Sequence, residues 1–219
     1  MYAVAQKTDY VKQAYEVIRD AIMSGDLPPG APLAQEELAS RLGVSRQPVS
    51  HALLLLRHEG LVTGRGRKGQ MVAPIDAGRL LALYQLRGAM DRLAATLAAG
   101  RIAAATVAGA ALEAALQRGQ DALRQGGIND LVAADVGFHQ TLYALSGNDE
   151  IAGAADSFWP HMVRSMRLVL EEAAGRADIW AEHAAIAAAV LAGETERAGQ
   201  LAEAHARRAG EATHARLTA

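Results

Sequence analysis

The sequence predicts a mainly α-helical protein in two parts. A small N-terminal unit of three helices and a β-hairpin precedes a larger, all-helical bundle. Three observations point there. Apolar residues recur at three- and four-residue spacing along most of the chain, and the β-like runs are confined to 61–63 and 70–73. Aromatics make up only 4 % of 219 residues while alanine is abundant, so helices can pack closely through small side chains. Charge also divides the chain: residues 1–74 hold nine Lys/Arg against seven Asp/Glu, and residues 75–219 hold thirteen against seventeen.

The same composition excludes several classes. No run approaches the ~18 apolar residues of a membrane-spanning helix. The N-terminal MYAVAQKTDYVKQAY has no apolar signal-peptide core. There is no cysteine, which removes disulfides and thiolate metal sites. A cytoplasmic protein with no membrane partner is expected. Within the first part, 41–68 carries Arg41, Arg46, Arg57, Arg65, Arg67 and Lys68 against Glu59 alone. A basic end on an acidic body suits a polyanion partner, although a solvated surface has the same composition.

A first helix is expected over 9–24. Val11, Tyr15, Ile18 and Ile22 form one apolar stripe, Gly25 stands where a C-terminal cap belongs, and Pro28-Pro29-Gly30 blocks continuation. A short second helix covers 35–42 with Leu38 and Leu42 inward, and Gly43 supplies the turn. Ser45 is placed to cap the third helix, its hydroxyl accepting from a free backbone N–H of the first turn. Pro48 is tolerated in that turn, where its missing N–H would have had no partner. The third helix runs to about His58 and ends at Gly60. Val49, Ala52, Leu53 and Leu56 share its inner face, while Ser45, Arg46, Gln47, Ser50 and His51 lie at its front or outside. The two β-like runs flank a Gly-rich, basic tip and read as a hairpin. Three helices and a basic hairpin make a winged helix-turn-helix, whose third helix enters the major groove of double-stranded DNA. Domains are therefore expected at 1–74 and 75–219.

The stretch AQEELASRLGVSRQPVSHALLLLRHEGLV resembles the DNA-binding domain of the GntR family of bacterial transcriptional regulators. The family pattern Val-Ser-Arg-Thr-Pro-Val-Arg-Glu-Ala-Leu is matched at Val44, Ser45, Arg46, Pro48, Val49, Ala52 and Leu53. Gly-Asp-Leu-Pro-Pro-Gly upstream and Glu-Gly-Leu-Val downstream also agree, so the likeness spans roughly 10–74. The chain departs from the pattern at Gln47, Ser50 and His51, on the outer face of the reading helix, which implies a different operator sequence. The resemblance implies that Arg46 is a principal DNA contact. An arginine can pair bidentately with guanine O6/N7 for ~1–3 kcal/mol of discrimination, although a surface ion pair with Glu36 or Glu37 is the competing role. Arg65, Arg67 and Lys68 would touch phosphates or enter the minor groove.

Breaks at Gly100, Gly126-Gly127, Ser146-Gly147-Asn148, Ala174-Gly175 and Gly193 divide the remainder into six expected helices, at 76–99, 102–125, 128–145, 149–172, 176–192 and 195–216. Pro160 predicts a kink near Trp159. An all-helical bundle follows.

Four side chains of this bundle carry metal-ligand chemistry. Asp135 and His139 are one turn apart; on a helix they differ by about 40° in direction and ~6 Å in height, so both can grip one ion. His183 and His205 belong to the last two helices. Three imidazoles and a carboxylate suit a borderline divalent ion, Zn²⁺ first and Ni²⁺ or Mn²⁺ as alternatives. By spacing alone, histidines on helices are more often surface or satisfied core residues.

Asp-x-x-x-His followed by Ser-Gly-Asn, then Glu-His-x-x-Ile, then a His 22 residues beyond His183, resembles the helical effector domain of the FadR-type subgroup, the FCD domain. Many members hold a metal through one Asp and three His in this order. The six-helix expectation is similar to the shorter VanR-like version. The subgroup's acyl-CoA-binding founder lacks these ligands, so their presence argues against an acyl-CoA effector. A six-coordinate ion with four protein ligands keeps two positions that a small carboxylate effector can fill.

Arg87 stands where the family often has Arg. It can pair with such an acid or bridge to Asp91 one turn on. Arg164 is a weaker effector candidate and otherwise a solvated charge. His161 is expected at the surface, as are His51, His58 and His214. These readings predict a metabolite-responsive regulator, a repressor induced by an organic or sugar acid. As a homodimer it would place two reading helices about 34 Å apart on a near-palindromic operator, with 75–79 as linker. A helical metalloenzyme with a His₃Asp site is the alternative.

Overall fold

The computed structural model describes residues 9–66, 69–125, 127–170 and 175–219, the side chain of Leu168 excepted. The chain divides between Ile75 and Asp76 into two compact units.

In the first unit, α1 (Tyr10–Ser24) is capped by Asp9, whose carboxylate accepts from the Lys12 N–H at 3.0 Å. Strand β1 (Pro32–Leu33) precedes α2 (Gln35–Leu42), α3 (Arg46–His58), β2 (Val62–Gly64) and β3 (Gln70–Val72). Gly43, at φ 66°, makes the left-handed turn between α2 and α3, a conformation that costs glycine no steric penalty. Ile18, Ile22, Val49, Leu53, Leu56, Leu61 and Val72 are buried together, so the apolar half of α3 anchors it while its front stays free.

Two details depart from expectation. Ser45 occupies the N-cap position in an extended conformation, but its side chain makes no capping bond. The sheet also has a third strand. β1 pairs antiparallel with β3, which pairs with β2, giving the order β1-β3-β2. A two-residue strand carrying a proline gives no alternation to read, and it survives because it lies at the edge, where Pro32 need not donate.

Among the described residues, the second unit holds seven helices: α4 (Ala77–Ala103), α5 (Ala110–Gln125), α6 (Ile128–Ser146), α7 (Asp149–Asp156), α8 (Trp159–Leu170), α9 (Arg176–Leu191) and α10 (Thr195–Thr218). The long pair α4 and α10 pack closely on one another, Gly88 facing Glu203 and Ala206, Gly199 facing Arg92 and Thr96, and Gly210 facing Tyr84. α6 and α9 pack on α4 as well, and α8 on α6 and α10. These five helices therefore surround one interior, and each contributes to the site or the cavity below.

The expected break at Gly100 does not occur. α4 runs on to Ala103, and the turn falls at 104–109. One glycine costs a helix only ~1 kcal/mol, and the buried alanines on either side of the packing face outweigh it. The expected helix over 149–172 is divided. Ser157 and Phe158 separate α7 from α8, and Pro160 lies in the first turn of α8, where its missing N–H leaves no hydrogen bond unmade. The kink is therefore a full break. Ser146-Gly147-Asn148 acts as punctuation: Gly147 at φ 71° ends α6, and Asn148 caps α7 by accepting from Glu150 N–H at 3.2 Å. No helix among the described residues is long and apolar enough to cross a membrane.

Candidate metal centre and nucleic-acid interface

Asp135 and His139 lie one turn apart on the buried face of α6. His183 comes from the middle of α9, and His205 from the middle of α10. All four are buried, and one ligand atom from each lies within 4.8 Å of the others. Ligands on one ion at ~2.1 Å stand at most ~4.2 Å apart, so the set needs to close by no more than ~0.6 Å. Nε2 of His139 and Nε2 of His183 face each other at 3.2 Å, and Asp135 Oδ1 lies 3.6 Å from the latter. Asp135 Oδ2, His139 Nδ1 and His183 Nδ1 are buried with no hydrogen-bond partner. Converging acceptors are costly in a dry interior, and a divalent cation between the two Nε2 atoms and the Asp135 carboxylate would relieve that cost. The residues fit the metal that the sequence implies.

The electrostatics agree with this. Burial, followed by the Arg87 charge, holds His139 well below the ordinary histidine range. Burial, followed by the His205 and Arg87 charges, does the same for His183. Both are therefore neutral, the form that can donate a lone pair. Burial pushes the Asp135 carboxyl upward.

Three groups brace the cluster. Glu182, which precedes His183 on α9, turns to α10: His205 Nδ1–H donates to its Oε2 at 2.7 Å and Arg208 Nε to its Oε1 at 2.5 Å. This fixes the His205 tautomer and leaves Nε2 for the cluster. Burial alone would raise the Glu182 pKa, but these two bonds outweigh it and hold it below the usual range. Asp91 accepts from Tyr143 OH at 2.6 Å and from Arg87 Nε at 3.2 Å. Its Oδ2 also comes within 3.4 Å of His139 Nδ1, without the alignment of a hydrogen bond.

Of the two roles weighed for Arg87, the bridge to Asp91 is present, and its Nη2 also meets His139 Nε2. Arg87 and Asp91 are 1 % and 0 % exposed, so the two form a buried ion pair. A cavity of about 590 Å³ opens beside the cluster, with Arg87, Asp135, Glu182 and His205 in its lining. Arg164 is not a solvated charge: it is buried on α8 and is not among the residues lining this cavity. His161 is buried too, its Nε2 3.1 Å from Arg79 Nη2, so its expected surface position is corrected.

Of the DNA-facing set, Ser45, Arg46, Gln47 and His51 are exposed at the front of α3 and Ser50 is half-buried. Arg46 Nη1 donates to Glu36 Oε1 at 2.6 Å, both side chains lying open to solvent. Arg65 is exposed, and its N–H donates to Gly69 O at 2.8 Å across the hairpin turn. Arg67 and Lys68 lie outside the described residues.

Glu182, Asp91 and Tyr143 were not anticipated as parts of the site. For Tyr143 the available signal was its place one turn beyond His139. For Glu182 it was the Glu-His pair itself. That carboxylate points about 100° from His183, which hid its reach to the neighbouring helix.

Comparison with known proteins adds three findings. The pattern of the FCD domain matches residues 82–208, and that of the bacterial regulatory proteins of the gntR family matches residues 10–72. An HTH-type transcriptional regulator from the unstable DNA locus of Streptomyces ambofaciens is 31 % identical over 201 residues, covering 90 % of this chain and 81 % of that protein. The HTH-type transcriptional repressor RspR of Escherichia coli K12 is 32 % identical over 139 residues, which are 62 % of this chain and 58 % of RspR. A GntR transcriptional regulator of Rhodococcus sp. RHA1 shares the fold at a TM-score of 0.81 and 24 % identity, over 97 % of this chain and 99 % of that one. These relatives are regulators rather than enzymes, and the metalloenzyme alternative falls with that finding.

Proposed function

The chain belongs to the GntR family of bacterial regulatory proteins, carries its FCD domain and is a DNA-binding transcriptional regulator; from that premise we propose a metabolite-responsive repressor that senses a small organic or sugar acid at a metal-containing pocket. The observation carrying this reading is the convergence of Asp135, His139, His183 and His205 in a buried cluster that opens onto a cavity. These four would hold the ion, Zn²⁺ first and Ni²⁺ or Mn²⁺ as alternatives. A divalent ion there supplies a Lewis-acid centre that a carboxylate can approach. The chain's own residues do the rest. Glu182 orients His205, burial keeps His139 and His183 neutral, and Arg87 offers a guanidinium fork at the cavity's inner end. Arg164, buried on α8, is the second and weaker effector candidate.

At the other end, Ser45, Arg46, Gln47, Ser50 and His51 read base edges, and Arg65, Arg67 and Lys68 meet the backbone or minor groove. The Arg46–Glu36 bond does not forbid this. An exposed ion pair is worth up to ~1 kcal/mol, against ~1–3 kcal/mol for a bidentate guanine contact.

A homodimer is supported by α4, where Leu86 and Leu93 are 52 % and 46 % exposed, and Ala82 and Ala89 extend the same stripe at heptad spacing. Such a seam is self-complementary under two-fold symmetry. Repression by a sister protein, RspR, supports the sign of regulation. Effector binding changes DNA affinity only if the DNA-competent and incompetent states bind the acid unequally.

Two assays test the reading. Mobility shifts on fragments upstream of the chain's own gene should give sequence-specific binding; salt-sensitive binding indifferent to sequence would count against a specific regulator. Zinc titration should give one ion per chain, lost in His183→Ala.

A further inference from the structure

The cavity beside the cluster constrains the rest of the ligand, beyond its acid group. At about 590 Å³ it lies in the range that encloses drug-sized molecules. Its inner end is polar, with Arg87, Asp135 and His205. Its walls are mostly hydrocarbon, with Met166 and Val169 of α8, Ile179 of α9 and Leu217 of α10, and with Ala209 and Ala212 leaving room between them, while Arg176, Asp178, Arg208 and Arg216 are charged members of the lining.

Two polar groups of the lining are already engaged. Thr213 Oγ1 donates to Ala209 O at 2.7 Å, and both Glu182 oxygens accept from His205 and Arg208. A hydroxyl buried without a partner costs ~1–3 kcal/mol on mutational scales. A sugar acid would lay several hydroxyls against this surface. A two- or three-carbon acid would leave most of the hydrocarbon facing water.

We propose that the cavity binds a monocarboxylate with an apolar body, a medium-chain alkyl or aryl-alkyl acid, its carboxylate at Arg87 and the cluster and its body along the α8, α9 and α10 walls. This rests on the acid-sensing reading above and narrows it. Ala212 is the residue that distinguishes ligands. It lines the cavity yet is exposed, so a larger side chain there shortens the space without disturbing the core.

The test is calorimetric titration of the full-length, zinc-saturated chain with butanoate, hexanoate, octanoate, 3-phenylpropanoate and gluconate. Affinity is expected to rise about fourfold per added methylene from butanoate to octanoate, with gluconate weaker than hexanoate. Ala212→Phe should lower octanoate affinity about tenfold, the equivalent of losing nearly two buried methylenes, while butanoate affinity and zinc stoichiometry stay unchanged. A flat dependence on chain length, or octanoate binding that survives Ala212→Phe, overturns the proposal. Gluconate binding more tightly than octanoate overturns it too, and leaves the acid-sensor reading standing. If no acid of either class binds, both fail.

Discussion

Glu182 accepts from His205 on one oxygen and from Arg208 on the other, so it would act on an ion it does not touch. Replacing such a partner of a ligating imidazole typically weakens metal binding by about 10–100-fold. Glu182→Gln should fall in that range in a competition titration against a chelator, with the fold intact by circular dichroism. At the DNA end, Arg46→Ala should lose ~1–3 kcal/mol of discrimination between operator and altered sites. Glu36→Gln should change operator affinity by less than ~1 kcal/mol, since it removes only an exposed pair. The four ligand-type residues were legible because their order and spacing match a known domain. Their supports were not, because each reaches across to a neighbouring helix, and helix periodicity fixes a residue's direction on its own helix alone.

Helix identities were legible almost throughout, and helix ends less so. α2 and α3 follow from a glycine turn and a clear apolar face. The α4 end was misjudged because tertiary packing of alanines carried the helix through Gly100. The same close packing makes α4 and α10 sensitive to volume. A Cβ on Gly210 would stand 2.6 Å from Cβ of Tyr84, an atom too near the backbone to swing away. Gly210→Ala should therefore cost ~1–3 kcal/mol in chemical denaturation despite alanine's better helix propensity.

In the first unit, Tyr15 OH donates to Glu59 at 2.7 Å, tying α1 to the end of α3. Burial, followed by that bond, pushes its pKa up to about 12. A group whose folded pKa is raised contributes stability that is present below its ordinary value near 10 and lost as pH climbs towards 12. Chemical denaturation across that alkaline window should show the loss, and Tyr15→Phe should reduce it.

For the whole molecule, two compact units could be anticipated from the change in charge and motif, and a homodimer was expected, but not the surface that would form it. Leu86 and Leu93 look like core residues in sequence and emerge exposed on α4. A pattern of apolar positions does not say whether the chain's own helices or a second copy covers them. Leu86→Glu with Leu93→Glu should yield a monomer in light scattering and weaken operator binding, because one reading helix in place of two loses half the contacts.

The central claim is that the acid pocket governs DNA binding. It is tested most directly by fluorescence anisotropy of labelled DNA from upstream of the chain's own gene, bound by zinc-saturated protein, while acids are titrated in. The account predicts that at least one acid lowers DNA affinity by roughly 5- to 150-fold, and that His183→Ala still binds the DNA but no longer responds. DNA affinity indifferent to every acid, or a His183→Ala response equal to that of the parent chain, would contradict it.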